Sequence, residues 1–152
     1  MVDVGQPAPD FELPNHDGET VRLSDFEGQR IVLYFYPKAG TEGCTIEARN
    51  FSDAVEEFQQ HDIQVLGAST DTVNEIATFK KEQDLGFPLL SDEEGSVAKR
   101  YEATDTADGE TNVTALRNTY VIGPNGEIEA VYEGVSPGDH AEQVLDDIAD
   151  SK

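Results

Sequence analysis

Four residue types in this chain could do chemistry together. The chain has one cysteine, Cys44, and three histidines, His16, His61 and His140. Cys44 falls where a loop at residues 39–43 gives way to helical spacing. Beyond it, Cys44, Ala48, Phe51, Val55 and Phe58 recur every three or four residues. With Thr41 or a neighbouring loop residue as N-cap, Cys44 sits in the first helical turn. There, free amides and the positive end of the helix dipole favour thiolate over thiol, drawing the pKa below its usual ~8.5. The same spacing allows a plainer reading, in which Cys44 is a small buried residue on the face of Phe51 and Val55. Glu47 lies one turn further on, close to that apolar face, where an unpaired carboxylate is costly and a cationic partner is expected. Of the five arginines, Arg117 directly precedes an apolar run at residues 119–122 and could reach the same interior from a strand end. It could equally be an ordinary surface arginine.

The reaction such a group could run is narrowed by what is missing from it. Acyl transfer by a cysteine ordinarily uses a histidine base, and the three histidines fall in turns or at a helix start with no evident route to Cys44. Dithiol exchange ordinarily needs a second cysteine two or three residues away, and position 47 is Glu. One cysteine cannot form an internal disulfide, and scattered histidines do not suggest a metal site, so neither a metal nor a cofactor is expected. Attack on a peroxide needs none of these. Ionisation alone would be insufficient: a shift from ~8.5 to ~6 raises the thiolate fraction at neutral pH only about 30-fold while nucleophilicity falls. The rest must come from donors that align the peroxide and stabilise charge on the leaving oxygen, tasks suited to Thr41, Arg117 and amides near Cys44.

The elements that must hold these groups are legible in outline. Phe11, Leu13, Val21 and Leu23 flank the turn-forming residues 15–18, which predicts an N-terminal β-hairpin. Residues 31–36 form a β-branched and aromatic run suited to a central strand buried on both faces. Pro37 ends it, and a helix is expected from about residue 41 through Phe58. A strand at 64–69, a helix at 73–83 with Ile76 and Phe79 inward, and an extended piece at 87–90 follow. After them come a short helix at 96–101 and a polar surface loop at 102–113. Strands at 119–122 and 128–132 flank the hairpin turn Gly123-Pro124-Asn125-Gly126. A last helix at 140–149 would turn Val144, Leu145 and Ile148 inward. The sum is one α/β domain, residues 1–152, with a mixed sheet.

Composition limits partners and compartment. Acidic residues number 32 against 10 Lys plus Arg, a net charge of -22 spread along the chain. Such a surface repels nucleic acid and anionic membranes. A dispersed acidic excess with few lysines fits a halophilic protein, in which molar salt screens self-repulsion. No apolar run approaches a membrane span and the N-terminus does not resemble a signal peptide, so a cytoplasmic location is expected.

Read together, Tyr34 to Glu47, Y-F-Y-P-K-A-G-T-E-G-C-T-I-E, resembles the peroxiredoxin active-site motif P-x-x-x-T-x-x-C-x-x-E. Within that family the chain resembles the subfamily called peroxiredoxin Q or bacterioferritin comigratory protein. G-Q-P-A-P-D-F at residues 5–11, F-P-L-L-S-D at 87–92 and R-N-T-Y-V-I at 117–122 extend the resemblance over nearly the whole chain. It implies a thioredoxin-like fold, with a central mixed sheet flanked by helices and an N-terminal β-hairpin. It also implies that Cys44 is the peroxidatic cysteine, that Thr41 binds peroxide, and that Pro37 shields the thiolate. Arg117 would hold the thiolate ionised and place the substrate, and Glu47 would orient an arginine. Many subfamily members carry a resolving cysteine five residues after the first; here that position is Arg49. Oxidised Cys44 would then await an external thiol, small or borne by a thioredoxin-like protein, or pair with Cys44 of a second subunit. The expected protein is a one-cysteine peroxidase of hydrogen peroxide and organic hydroperoxides, monomeric or homodimeric. The alternatives are a redox sensor whose surface changes when Cys44 is oxidised, and a scaffold with an inert cysteine.

Overall fold

The computed structural model describes residues 4–26, 28–36, 42–101, 118–132, 143–144 and 146–147. Two short antiparallel strands, β1 (Glu12–Pro14) and β2 (Thr20–Arg22), form the expected hairpin, with Leu13 opposite Val21. Asn15 closes its turn by accepting the Asp17 and Glu19 amides on its side chain, a local mimic of a backbone turn. A 3₁₀ turn at Leu23–Phe26 leads into β3 (Arg30–Phe35).

β3 is the centre of a five-stranded sheet of order β5-β4-β3-β6-β7. β4 (Ile63–Ser69) and β5 (Leu89–Ser91) run parallel to it, and β6 (Thr119–Ile122) and β7 (Ile128–Tyr132) complete the antiparallel side. Every β3 residue after Arg30 is buried, as a strand covered on both faces requires. Side-chain alternation sends Val32, Tyr34 and Tyr36 to one face, where Ala48, Phe51, Phe58, Ile76 and Phe79 cover them. Ile31, Leu33 and Phe35 face the hairpin, the short helix α4 (Ser96–Arg100) and Tyr101 and Tyr120.

The helix expected from residue 41 through Phe58 is divided. α1 spans Glu42–Asp53 and α2 spans Val55–Gln60. At Ala54 the backbone leaves helical geometry, and its N–H is shared between the Asn50 and Phe51 carbonyls. A shared bond of this kind tightens the turn and lets the axis bend. The bend lets Phe51 stack on Tyr34 at 4.6 Å while Phe58, seven residues later, still reaches the core. α3 (Val73–Gln83) occupies its expected span. Thr72 and Glu75 form a reciprocal capping box at its start, and Asp84 takes a left-handed conformation at its end.

The F-P-L-L-S-D segment is structural at its last residue. Asp92 is buried, and its carboxylate accepts the Val97 and Ala98 amides at 3.2 and 2.8 Å, capping α4 across an intervening turn. At the far end of the chain, residues 143–144 and 146–147 are helical and Val144 packs into the α1 side of the core. Leu145, Ile148 and the 102–113 segment lie outside the described residues. No helix among the described residues is long and apolar enough to cross a membrane.

Candidate active site

The parallel arrangement of β3, β4 and β5 brings their C-terminal ends to one edge of the sheet, the place where open α/β sheets hold ligands. α1 starts at this edge. Cys44 is its third residue and is 1% exposed. Both expectations for the cysteine therefore hold in part: it occupies the first turn of a helix, and it is also buried on a stripe with Ala48 and Phe51. Glu47, one turn on, is likewise 1% exposed. A carboxylate so enclosed belongs to a built polar site, because apolar surroundings alone would make it costly.

Pro37, Thr41 and Arg117 lie outside the described residues. α1 begins at Glu42, directly after Thr41, and Tyr36, directly before Pro37, is buried beside the sheet end. Asn118, directly after Arg117, is buried and accepts the Phe35 amide on its carbonyl at 2.8 Å, locking the start of β6 to the end of β3. Three of the other arginines have partners elsewhere, and the fourth is exposed. Arg30 grips Glu129 through two nitrogens at 2.6 and 3.3 Å, Arg22 pairs with Glu12, Arg100 donates to the Asp10 carbonyl, and Arg49 is exposed on α1.

Sequence reading missed the polar groups that share this edge. Tyr36 is buried at the end of β3, and Ser69, Asp71 and Ser91 are buried at and beyond the ends of β4 and β5. Ser69 Oγ donates to Asp71 Oδ2 at 2.8 Å and accepts the Asp71 amide at 3.3 Å, while Ser91 Oγ donates to the Asp71 carbonyl at 2.6 Å. The available signal was an apolar strand ending in Ser-Thr-Asp, which reads equally well as a helix cap. Burial holds the Tyr36 phenol well above its ordinary pKa. The Ser69 hydroxyl opposes that, and the neighbouring Asp71, Cys44 and Glu47 add to it.

Among the described residues no group of three or more His, Cys, Asp or Glu is arranged to hold a metal ion. His61 follows α2 just before β4 begins, at the opposite end of the sheet from Cys44, and so is no base for it.

Comparison with known proteins gives the chain its family. The AhpC/TSA family matches residues 4–131. Peroxiredoxin Bcp of Escherichia coli is 38% identical over 143 residues, covering 93% of this chain and 92% of that protein. Peroxiredoxin Bcp of Bacillus subtilis is 37% identical over 151 residues, covering 98% and 96%. The crystal structure of peroxidoxin BcpB from Mycobacterium tuberculosis superposes with a TM-score of 0.93 at 33% identity, covering 100% of this chain and 99% of that one. A thioredoxin-like fold with its one cysteine buried at the sheet edge, in a chain so related, defines a thiol-dependent peroxidase. The chain belongs to the AhpC/TSA family, among the peroxiredoxins of the Bcp and peroxiredoxin Q type, and its sequence carries a single cysteine. A peroxide substrate and a thiol reductant follow from the family.

Proposed function

We propose that the protein reduces hydrogen peroxide and organic hydroperoxides through a sulfenic acid on Cys44, resolved by an external thiol. In the first step the Cys44 thiolate attacks one peroxide oxygen and the O–O bond breaks. Sulfur is oxidised to S–OH and the other oxygen leaves as water or an alcohol after taking up a proton. A thiol then attacks Sγ, releasing water and forming a mixed disulfide; a second thiol frees Cys44 and departs as the reductant's disulfide. Atoms and electrons balance at two thiols per peroxide.

The observation that carries this reading is the sole cysteine, buried in the first turn of α1 beside the buried Glu47 at the edge where three parallel strands end. Thr41 supplies a donor to the peroxide, Pro37 keeps water from the sulfur, and Arg117 stabilises the thiolate and the leaving oxygen. Glu47 orients the guanidinium. The engagement of Arg22, Arg30 and Arg100 elsewhere, and the exposure of Arg49, support this role for Arg117. Within the family pattern, the absence of a second cysteine in the sequence makes external resolution the route back to thiol, with the chain acting as a monomer or a homodimer. The dispersed acidic excess suits a halophilic, cytoplasmic protein.

The test is turnover. Reduced protein supplied with excess hydroperoxide and a small thiol should consume many equivalents of peroxide per chain, and Arg117→Ala should slow it at least about a hundred-fold. Consumption that stops after one equivalent with every thiol tried would contradict the enzyme reading and favour a sensor.

A further inference from the structure

β7 stands last in the order of the five-stranded sheet, and a bare last strand offers its amides and carbonyls to any other extended chain. The start of that edge is occupied by the G-Q-P-A segment of the same chain. Gly5 donates its amide to the Ile128 carbonyl, Ile128 donates to the Gln6 carbonyl, and Ala8 donates to the Gly126 carbonyl, each at 2.8 Å. Between these bonds Pro7 and Glu127 form an antiparallel bridge. Gln6 and Ala8 turn their bonding groups inward, so Pro7 between them turns its own nitrogen and carbonyl away from β7. It is exposed, and on that outward side its nitrogen carries no proton. The segment is bounded at both ends. Gly5, at φ 90°, swings its amide to Ile128 out of regular register, and the Pro9 carbonyl is drawn off to accept the Tyr101 phenol proton at 2.6 Å.

We propose that residues 5–8 are a built-in cover for the β7 edge, and that Pro7 keeps this surface from pairing strand to strand with a second copy of the chain. Charge alone gives no such protection in concentrated salt, where repulsion between two chains of net charge -22 is screened within about 3 Å near 1 M. A missing amide proton is indifferent to salt. A strand laid along the outside of the cover would bring a carbonyl against the proline ring and find no donor for it. The opposite edge is met in a similar way, Asn15 of the hairpin bridging Leu90 of β5. The inference gives the G-Q-P-A-P-D-F motif a role at the sheet edge and is independent of what Cys44 does.

Pro7→Val restores the outward amide and supplies a good strand former, while the inward bonds of Gln6 and Ala8 stay in place. Pro7→Ala restores the amide with little added apolar surface. Reduced parent and both variants are compared in molar potassium chloride, by light scattering over a range of protein concentration and by amide hydrogen exchange. The expected result is a parent mass that does not change with concentration and a Pro7→Val mass that rises with it to about twice the parent's. Pro7→Ala should follow at higher concentration. In both variants the new amide at position 7 should exchange freely in dilute protein and become protected as the mass rises. Variants that keep the parent's mass at every concentration would overturn the proposal. So would association with the position-7 amide still exchanging freely, because the contact would then lie on another face.

Discussion

Replacing Glu47 by Gln would keep the shape of a buried side chain and remove only its charge, and so separates what that carboxylate does for stability from what it does for the reaction. A buried ionised carboxylate is a weak stabiliser even when well partnered, because its desolvation offsets the attraction it gains. Glu47→Gln should therefore melt at the parent temperature or above it, while kcat/KM for peroxide falls about ten-fold as an arginine loses its charged anchor. A lower melting temperature with intact kcat/KM would make Glu47 a structural residue. Cys44 and Glu47 were legible as a pair because helical spacing alone puts them one turn apart. Tyr36, Ser69 and Asp71 were not. Their meeting depends on β4 lying in parallel register beside β3, with Phe35 opposite Ala68, and no local pattern carries that information.

At the scale of elements, the sheet end is set by one close approach. Gly67 in β4 sits under the Tyr34 ring, and a Cβ there would lie 2.9 Å from Tyr34 Cζ and 3.0 Å from a Leu89 methyl. Tyr34 cannot yield easily, since it is fully buried and stacked on Phe51 of α1. Gly67→Ala should cost about 1–3 kcal/mol in denaturant unfolding by overpacking. It should also slow peroxide turnover, because the displaced ring pushes on the helix that carries Cys44. Wild-type stability in this variant would show that the interior has slack. The sequence foretold β3, α3 and the β6–β7 hairpin closely, because a continuous apolar run, the helical spacing of Ile76 and Phe79, and a Gly-Pro-Asn-Gly turn are each local signals. It did not foretell the break between α1 and α2. Apolar spacing continues unbroken through Ala54, and the bend answers to packing of Phe51 and Phe58 against the sheet.

For the whole molecule, charge and burial set how stability responds to solution conditions. With a net charge of -22, self-repulsion opposes the compact state at low salt and is screened as the Debye length shrinks to about 3 Å near 1 M. The melting temperature should rise steeply from low to molar salt. A flat response would remove the halophilic reading. Alkaline pH acts through the phenols. Burial raises Tyr36 and Tyr101 well above their ordinary values, Asp10 adding to the shift at Tyr101. Above about pH 10 the unfolded chain releases these protons while the folded chain retains them, so their contribution is complete below that pH and is lost as pH rises past it. Equilibrium unfolding at fixed high salt should show stability falling from about pH 10 upward, a fall that Tyr101→Phe should reduce. The acidic surface was readable from composition, but the enclosed tyrosines became visible only with the two faces of the sheet in place.

The most direct test of the account lies at Cys44. Fully reduced protein is treated with one equivalent of hydrogen peroxide in the presence of a sulfenic-acid trap, and its tryptic peptides are read by mass spectrometry. The account predicts the trap's mass on the peptide bearing Cys44, its absence in Cys44→Ser, and its loss when a reducing thiol is added before the trap. Parent protein that destroys peroxide without ever showing a trapped adduct on Cys44 would contradict it.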